Sequence, residues 1–429
     1  MDPDRTRFVY DLRKRLRKGH GEDVLAGSAK TSTYSALAVL SMLILHIVLT
    51  RFLSPSEYAV YGTYISILLT FLIAFGSIYY VIAHFISYHD ARLQYEQITY
   101  LLKHSMKWMF ALGFVFFVLF AVFSTQISDF FQIPEPTSTV LLGFVVWFTI
   151  LTPVFEGAFK GLQIPGPLGR MRLIEAVSRL AFCLLFVWVG FGVSGVILGL
   201  GLGTVVALAA SYVFILRGQT RKAVRPNLTR IRKYALPIVL TMTSFALLLN
   251  LDIIVAKHVF LPSEAGVFAA VSLLAKTPVF LSVLVSALMF AKVARLHVNG
   301  KSGSRLLQYA VILVGSVSVV LTLAFLFFSH PILEFVFGTQ YALGPIVGFY
   351  VFAMGMAALA LLLLSYSLAV SKHAASFALP LFVIALLALL ALLHNSTVQI
   401  MLVVMFVMTL LAAYSIYMTR ETLEFDYFI

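Results

Sequence analysis

Leu53-Ser54-Pro55-Ser56-Glu57-Tyr58-Ala59-Val60-Tyr61 returns 207 residues later as Phe260-Leu261-Pro262-Ser263-Glu264-Ala265-Gly266-Val267-Phe268. Both stretches lie between long apolar runs. Each reads as a tight turn in which proline ends one helix, serine caps the next, and glutamate sits in the first turn, where negative charge is favoured. Any helical hairpin can use Pro-Ser-Glu. Here the offset is close to half of the 429 residues, and both copies join the first and second helices of a six-helix set. This points to an internal duplication. Six spans is an even number, so both halves enter the membrane in the same sense. The expected relation is a parallel repeat about an axis along the membrane normal.

Composition sets the solvent. Hydrophobic residues make up 61% of the chain and charged residues 11%, against about 25% charged in an average soluble domain. A water-soluble enzyme is excluded. Twelve apolar runs approach the ~20 residues that a bilayer core requires: 28–53, 59–86, 107–123, 140–159, 171–189, 193–216, 234–257, 265–290, 306–328, 345–366, 375–393 and 397–419. Lipid offers no partner for backbone polar groups, so each is expected to be helical. The alternating pattern of a barrel is missing from the sequence. The expected fold is an all-α polytopic membrane protein, with two six-helix bundles arranged as a V around a central cleft. Its parts would be a basic N-terminal segment (1–27), a first lobe (28–216), a basic linker (217–233), a second lobe (234–419) and a tail (420–429). Cys183 is the single cysteine, so no intramolecular disulfide is expected.

Charge placement orients the map. With a cytoplasmic N-terminus, 27 of the 31 Lys and Arg fall on inner segments, as the positive-inside rule requires. Both termini are then expected in the cytoplasm. Arg51 and Lys257 fall at the outer face, and Arg179 and Lys276 fall within spans. This distribution explains the net charge of +13 without nucleic acid, and the basic inner loops would meet anionic lipid. In Arg5–Lys18, Phe8, Leu12 and Leu16 recur among basic residues. That pattern fits either a short interfacial helix or a topogenic tail. A cleavable signal peptide is not expected, because the first apolar run is too long.

The connections are short. The longest outer one, Ser124–Thr139, offers no room for a catalytic or nucleotide-binding domain, and no Walker-type motif occurs. Gly199, Gly201 and Gly203 lie within a span with no preceding strand, so a dinucleotide fingerprint is rejected. Gly195, Gly199 and Gly203 instead read as a smooth face for close helix packing.

Ionisable residues inside a membrane are costly and mark functional candidates. Lys276 lies eleven residues into the eighth span, roughly 16 Å down at 1.5 Å per residue and near the midplane. Pro278 follows as a kink or hinge. Lys276 is expected to face a wet cavity and meet a diphosphate, the alternative being an ion pair with an acid on another helix. Arg179 follows Glu175 by one turn. It either neutralises that carboxylate or offers a bidentate phosphate contact. Asp252 reads as a coupling-ion carboxylate or as a partner for Lys276 or Lys257. Glu156 and Lys160 form a further i,i+4 pair. Arg51 snorkels and His46 packs. The ten His form no ligand cluster, and no cofactor is implied.

Several of these stretches resemble the polysaccharide-exporter branch of the multidrug/oligosaccharidyl-lipid/polysaccharide superfamily. They are Arg51–Tyr58, Gly157-Ala158-Phe159-Lys160-Gly161-Leu162-Gln163, Ala235-Leu236-Pro237, Asn250-Leu251-Asp252, Pro262-Ser263-Glu264 and Ala275-Lys276. The likeness covers most of the chain in layout, with short motifs. It implies a cell-membrane flippase, not an enzyme, that carries polyprenyl-diphosphate-linked oligosaccharides from the inner to the outer leaflet by alternating access. It would act as a monomer alongside partners in glycan polymerisation. Two alternatives are cation-coupled drug extrusion on the same fold and a membrane glycan polymerase or ligase. The first calls for acidic cleft residues, and the second for a sizeable outer loop.

Overall fold

The structure is a computed structural model that describes residues 24–216, 223–226, 228–298, 302–338, 346–370 and 374–426. The basic Arg5–Lys18 segment lies outside the described residues, as do linker residues 217–222 and 227 and Lys372. Among the described residues there is no strand. The helices are α1 (Val24–Phe52), α2 (Pro55–Ala91), α3 (Tyr95–Val122), α4 (Ser124–Phe130), α5 (Pro136–Thr149), α6 (Thr152–Gly161), α7 (Pro165–Trp188), α8 (Gly192–Leu216), α9 (Leu228–Val259), α10 (Pro262–Ala275), α11 (Thr277–Val298), α12 (Ser304–Phe337), α13 (Ile346–Ala369), α14 (Ala374–Leu392) and α15 (Thr397–Asp426). Every expected span has a counterpart.

Two spans are broken, and proline explains both breaks. The fourth splits at Ile150–Leu151 into α5 and α6, because Pro153 has no N–H to give the Thr149 carbonyl. The eighth splits at Lys276, where Pro278 deprives the Leu274 carbonyl of its donor. The Thr277 hydroxyl takes that carbonyl instead, at 2.6 Å. Lys276 itself has φ −74° and ψ 0° and closes α10. Among the described residues, eleven spans are long and apolar enough to cross a membrane by length and composition alone. The twelfth, α7, carries Arg170, Arg172, Glu175 and Arg179. It also begins at Pro165 rather than at 171, since proline is tolerated in a first helical turn.

The described chain divides into two compact units. The first holds residues up to Val48, Phe75–Ser128 and Glu135–Ala235; the second holds Leu49–Ala74, Asp129–Pro134 and Leu236 onward. The outer end of α1 and the first half of α2 therefore group with α9–α15, not with the remainder of the 28–216 segment. In the first unit α8 lies flat against α7. A Cβ on Gly199 would stand 2.6 Å from the Cys183 nitrogen, and one on Gly203 would stand 2.5 Å from the Arg179 nitrogen. The small-residue face thus serves close packing, as its spacing predicts. In the second unit α13 is buried almost along its whole length. By contrast, α3 and α12 bury few of their apolar side chains, as expected of helices that meet lipid.

The repeated hairpins differ at the cap and meet each other. Ser54, which precedes the proline, closes a capping box. Its Oγ accepts the Glu57 N–H at 3.3 Å, while Glu57 Oε2 accepts both the Ser54 N–H and its hydroxyl at 2.8 Å. The equivalent Leu261 has no side chain able to do this. A Cβ on Gly62 would meet the Ala269 Cβ at 2.7 Å, and one on Gly266 would overlap the Pro55 carbonyl and stand 3.4 Å from the Ala59 nitrogen. At the 207-residue offset, Gly62 corresponds to Ala269 and Ala59 to Gly266. Equivalent positions touch each other only near a twofold axis, so the second unit carries a pseudo-twofold contact between α2 and α10.

Candidate functional site

Within the second unit, α9 supplies Asn250 and Asp252, α10 supplies Ser272, the break after α10 supplies Lys276, and α13 supplies Tyr350. Lys276 Nζ lies 3.4 Å from Asp252 Oδ1 and 3.5 Å from Asn250 Oδ1. Asp252 Oδ2 accepts the Ser272 hydroxyl at 2.5 Å and the Tyr350 hydroxyl, and those hydroxyls are 3.1 Å apart. Asn250 Nδ2 donates to the Ala246 carbonyl at 2.9 Å, which turns its oxygen toward Lys276. The group is enclosed: the Lys276 side chain is 2% exposed and that of Asp252 1%. Lys276 is thus paired with an acid on another helix, and Asp252 has Lys276 as its partner. Lys257, also buried, has no hydrogen-bond partner for Nζ among the described residues.

The first unit carries a more open group. Arg172 on α7 donates through Nε to Glu156 Oε1 on α6 at 2.6 Å and through Nη1 to Ser35 Oγ on α1 at 3.3 Å. Glu156 was expected to pair with Lys160 one turn on, but its partner is Arg172, brought across from α7. Arg179 pairs with Glu175 at 2.6 Å, and both share the Thr204 hydroxyl of α8. Side-chain exposure is 31% for Arg172, 19% for Glu156, 22% for Arg179 and 12% for Glu175. Tyr79 and Tyr80 of α2, edge to face at 5.0 Å, lie within electrostatic reach of Glu156 and Arg172. Helix α7 begins early enough that Arg179 lies fourteen residues inside it, roughly 21 Å from its start.

Sequence reasoning counted Arg172 with the basic inner segments and passed over it as a site residue. Its signal was present: Arg172, Glu175 and Arg179 recur at i, i+3 and i+7, one face of an otherwise apolar helix. Ser272 and Tyr350 gave no signal, because a lone hydroxyl in an apolar run is ordinary.

The architecture is that of the MOP-superfamily transporters. An inward-facing multidrug resistance MATE family transporter of that superfamily aligns with a TM-score of 0.74 at 11% identity, covering 93% of this chain and 98% of the other. The inward closed lipid II flippase MurJ aligns at 0.66 and 12%, covering 90% and 87%. A MOP superfamily transporter from Pyrococcus furiosus, described as having a binding pocket of reverse polarity, aligns at 0.65 and 12%, covering 96% and 98%. At such identities these likenesses establish the fold. No curated protein matches the sequence.

Residues 48–343 match the family described as polysaccharide biosynthesis protein. The chain belongs to that family and is a multi-pass membrane protein.

Proposed function

We propose that the protein is a flippase that moves polyprenyl-diphosphate-linked oligosaccharides from the cytoplasmic to the outer leaflet by alternating access of two lobes. The observation that carries this reading is the charge group on α6 and α7. Lys160, Arg172 and Arg179 outnumber Glu156 and Glu175, and the arginine side chains keep 31% and 22% exposure inside apolar helices. A guanidinium matches phosphate oxygens in bidentate fashion, so Arg172 and Arg179 are the proposed diphosphate contacts. Lys276 would join them only by leaving Asp252. Tyr79 and Tyr80 lie beside Arg172, where rings would stack against sugar faces.

The energetics agree with export. In a negative-inside cell, an outgoing charge gains about 2.3 kcal/mol per 100 mV. The glycan is the obstacle, because each hydroxyl left unpaired in hydrocarbon costs several kcal/mol. A polar path removes that cost while the polyprenyl tail stays in lipid. Drug extrusion has the multidrug relatives' fold in its favour, but the excess of positive over negative groups suits an anion. Mass spectrometry of lipid-linked intermediates in a strain lacking the gene tests the reading. A polyprenyl-diphosphate glycan accumulates on the inner leaflet if it is right. A normal intermediate profile, with changed drug tolerance, overturns it.

A further inference from the structure

We propose that Lys276 is a tethered counter-ion: its ammonium fills an oxygen cage suited to a small monovalent cation, so this chain works without an exchangeable alkali ion at that place. The cage is made of the Asp252 carboxylate, the Asn250 amide oxygen, and the Ser272 and Tyr350 hydroxyls. Carboxylate, amide and hydroxyl oxygens are the ligands hard cations take.

The arrangement of hydrogen bonds supports this assignment. Both neighbouring hydroxyls donate to Asp252 Oδ2, and the Asn250 amide is held by the Ala246 carbonyl. Of these oxygens, Nζ contacts Asp252 Oδ1 and Asn250 Oδ1, at 3.4 and 3.5 Å. These are long contacts for an ammonium, a loose fit to a site that a close-fitting ion would draw together. Lys276 reaches the cage because α10 stops one residue short of it, and both side chains are almost fully buried. An unpaired carboxylate at such a place would be strongly disfavoured, so an ionised Asp252 needs a cation beside it.

The repeat sharpens the argument. At the 207-residue offset, Asn250, Asp252, Ser272 and Lys276 correspond to Leu43, Leu45, Ile65 and Leu69. One half of the chain carries the complete acid–cation set at these positions and the other carries none of it. The lysine and its cage form one unit.

The test uses the purified full-length protein, with thermal unfolding compared in sodium chloride and choline chloride at equal ionic strength. The wild type unfolds at the same temperature in both salts. Lys276→Ala vacates the cage, and its unfolding temperature rises by a few degrees in sodium, saturably, as a bound ligand requires. Adding Asp252→Asn to Lys276→Ala removes that rise. Lys276→Met, whose uncharged chain still fills the space, shows none. Sodium stabilisation of the wild type, or a vacated cage indifferent to sodium, overturns the proposal. If Lys276→Ala is recovered folded only in sodium, that supports it. If it is recovered in neither salt, Lys276→Ser is measured in the same way, and the wild-type comparison still decides between a resident lysine and an exchangeable ion. No step of this test involves a glycan, so it stands or falls separately from the flippase reading.

Discussion

The two charge groups solve the same problem in opposite ways. In the first unit, Glu156, Arg172, Glu175 and Arg179 keep between 12% and 31% of their side chains exposed, and cations outnumber carboxylates once Lys160 is included. In the second, Asp252 and Lys276 are at most 2% exposed and balance one to one, and the Ser272 and Tyr350 hydroxyls satisfy the carboxylate. An ionic group that stays open can meet a ligand. A closed, neutral one holds helices in register and is slow to do anything else. The difference predicts which group answers to substrate and which to stability.

The largest effect is expected from breaking the closed pair on one side only. Asp252→Leu leaves a buried ammonium uncompensated and is expected to cost about 3–5 kcal/mol. Asp252→Leu with Lys276→Met restores most of that loss, because an apolar replacement of a whole buried pair is close to neutral. Denaturant unfolding of the two singles and the double gives the coupling. An additive cycle would show that the pair is not the closed unit described. Next comes Gly203→Ala, which places a methyl against the Arg179 backbone. Overpacking there is expected to cost about 1–3 kcal/mol and to displace the open group, so export and unfolding temperature fall together. Smallest in stability is Glu156→Gln, about 1 kcal/mol or less given the exposure of its partner. Arg172→Ala and Arg179→Ala are expected to depress export in a leaflet assay far more than they lower unfolding temperature. Equal losses in both would break the contrast between the two groups.

Much of this was legible in the chain. Apolar run length placed all twelve spans, and the Pro-Ser-Glu turns located the repeat. The Gly195–Gly203 spacing announced the α7–α8 contact. What sequence could not supply was partnership across helices. Glu156 has Lys160 one turn away, yet its partner is Arg172, because α6 and α7 bring the guanidinium Nε within 2.6 Å of its carboxylate. The cap was displaced as well: Ser54, before the proline, holds Glu57, whereas its counterpart Leu261 holds nothing. Local composition announced a cap in both turns, and only one residue type could make it.

At the α2–α10 crossing, two facing pairs of equivalent positions each hold one glycine and one alanine: Gly62 with Ala269, and Gly266 with Ala59. A chain of half the length, meeting its own copy there, could offer only matched residues, two hydrogens or two methyls at each point. Joining the halves in one polypeptide lifts that restriction. It lets the Ala269 methyl fill a gap at Gly62 that is too narrow for two.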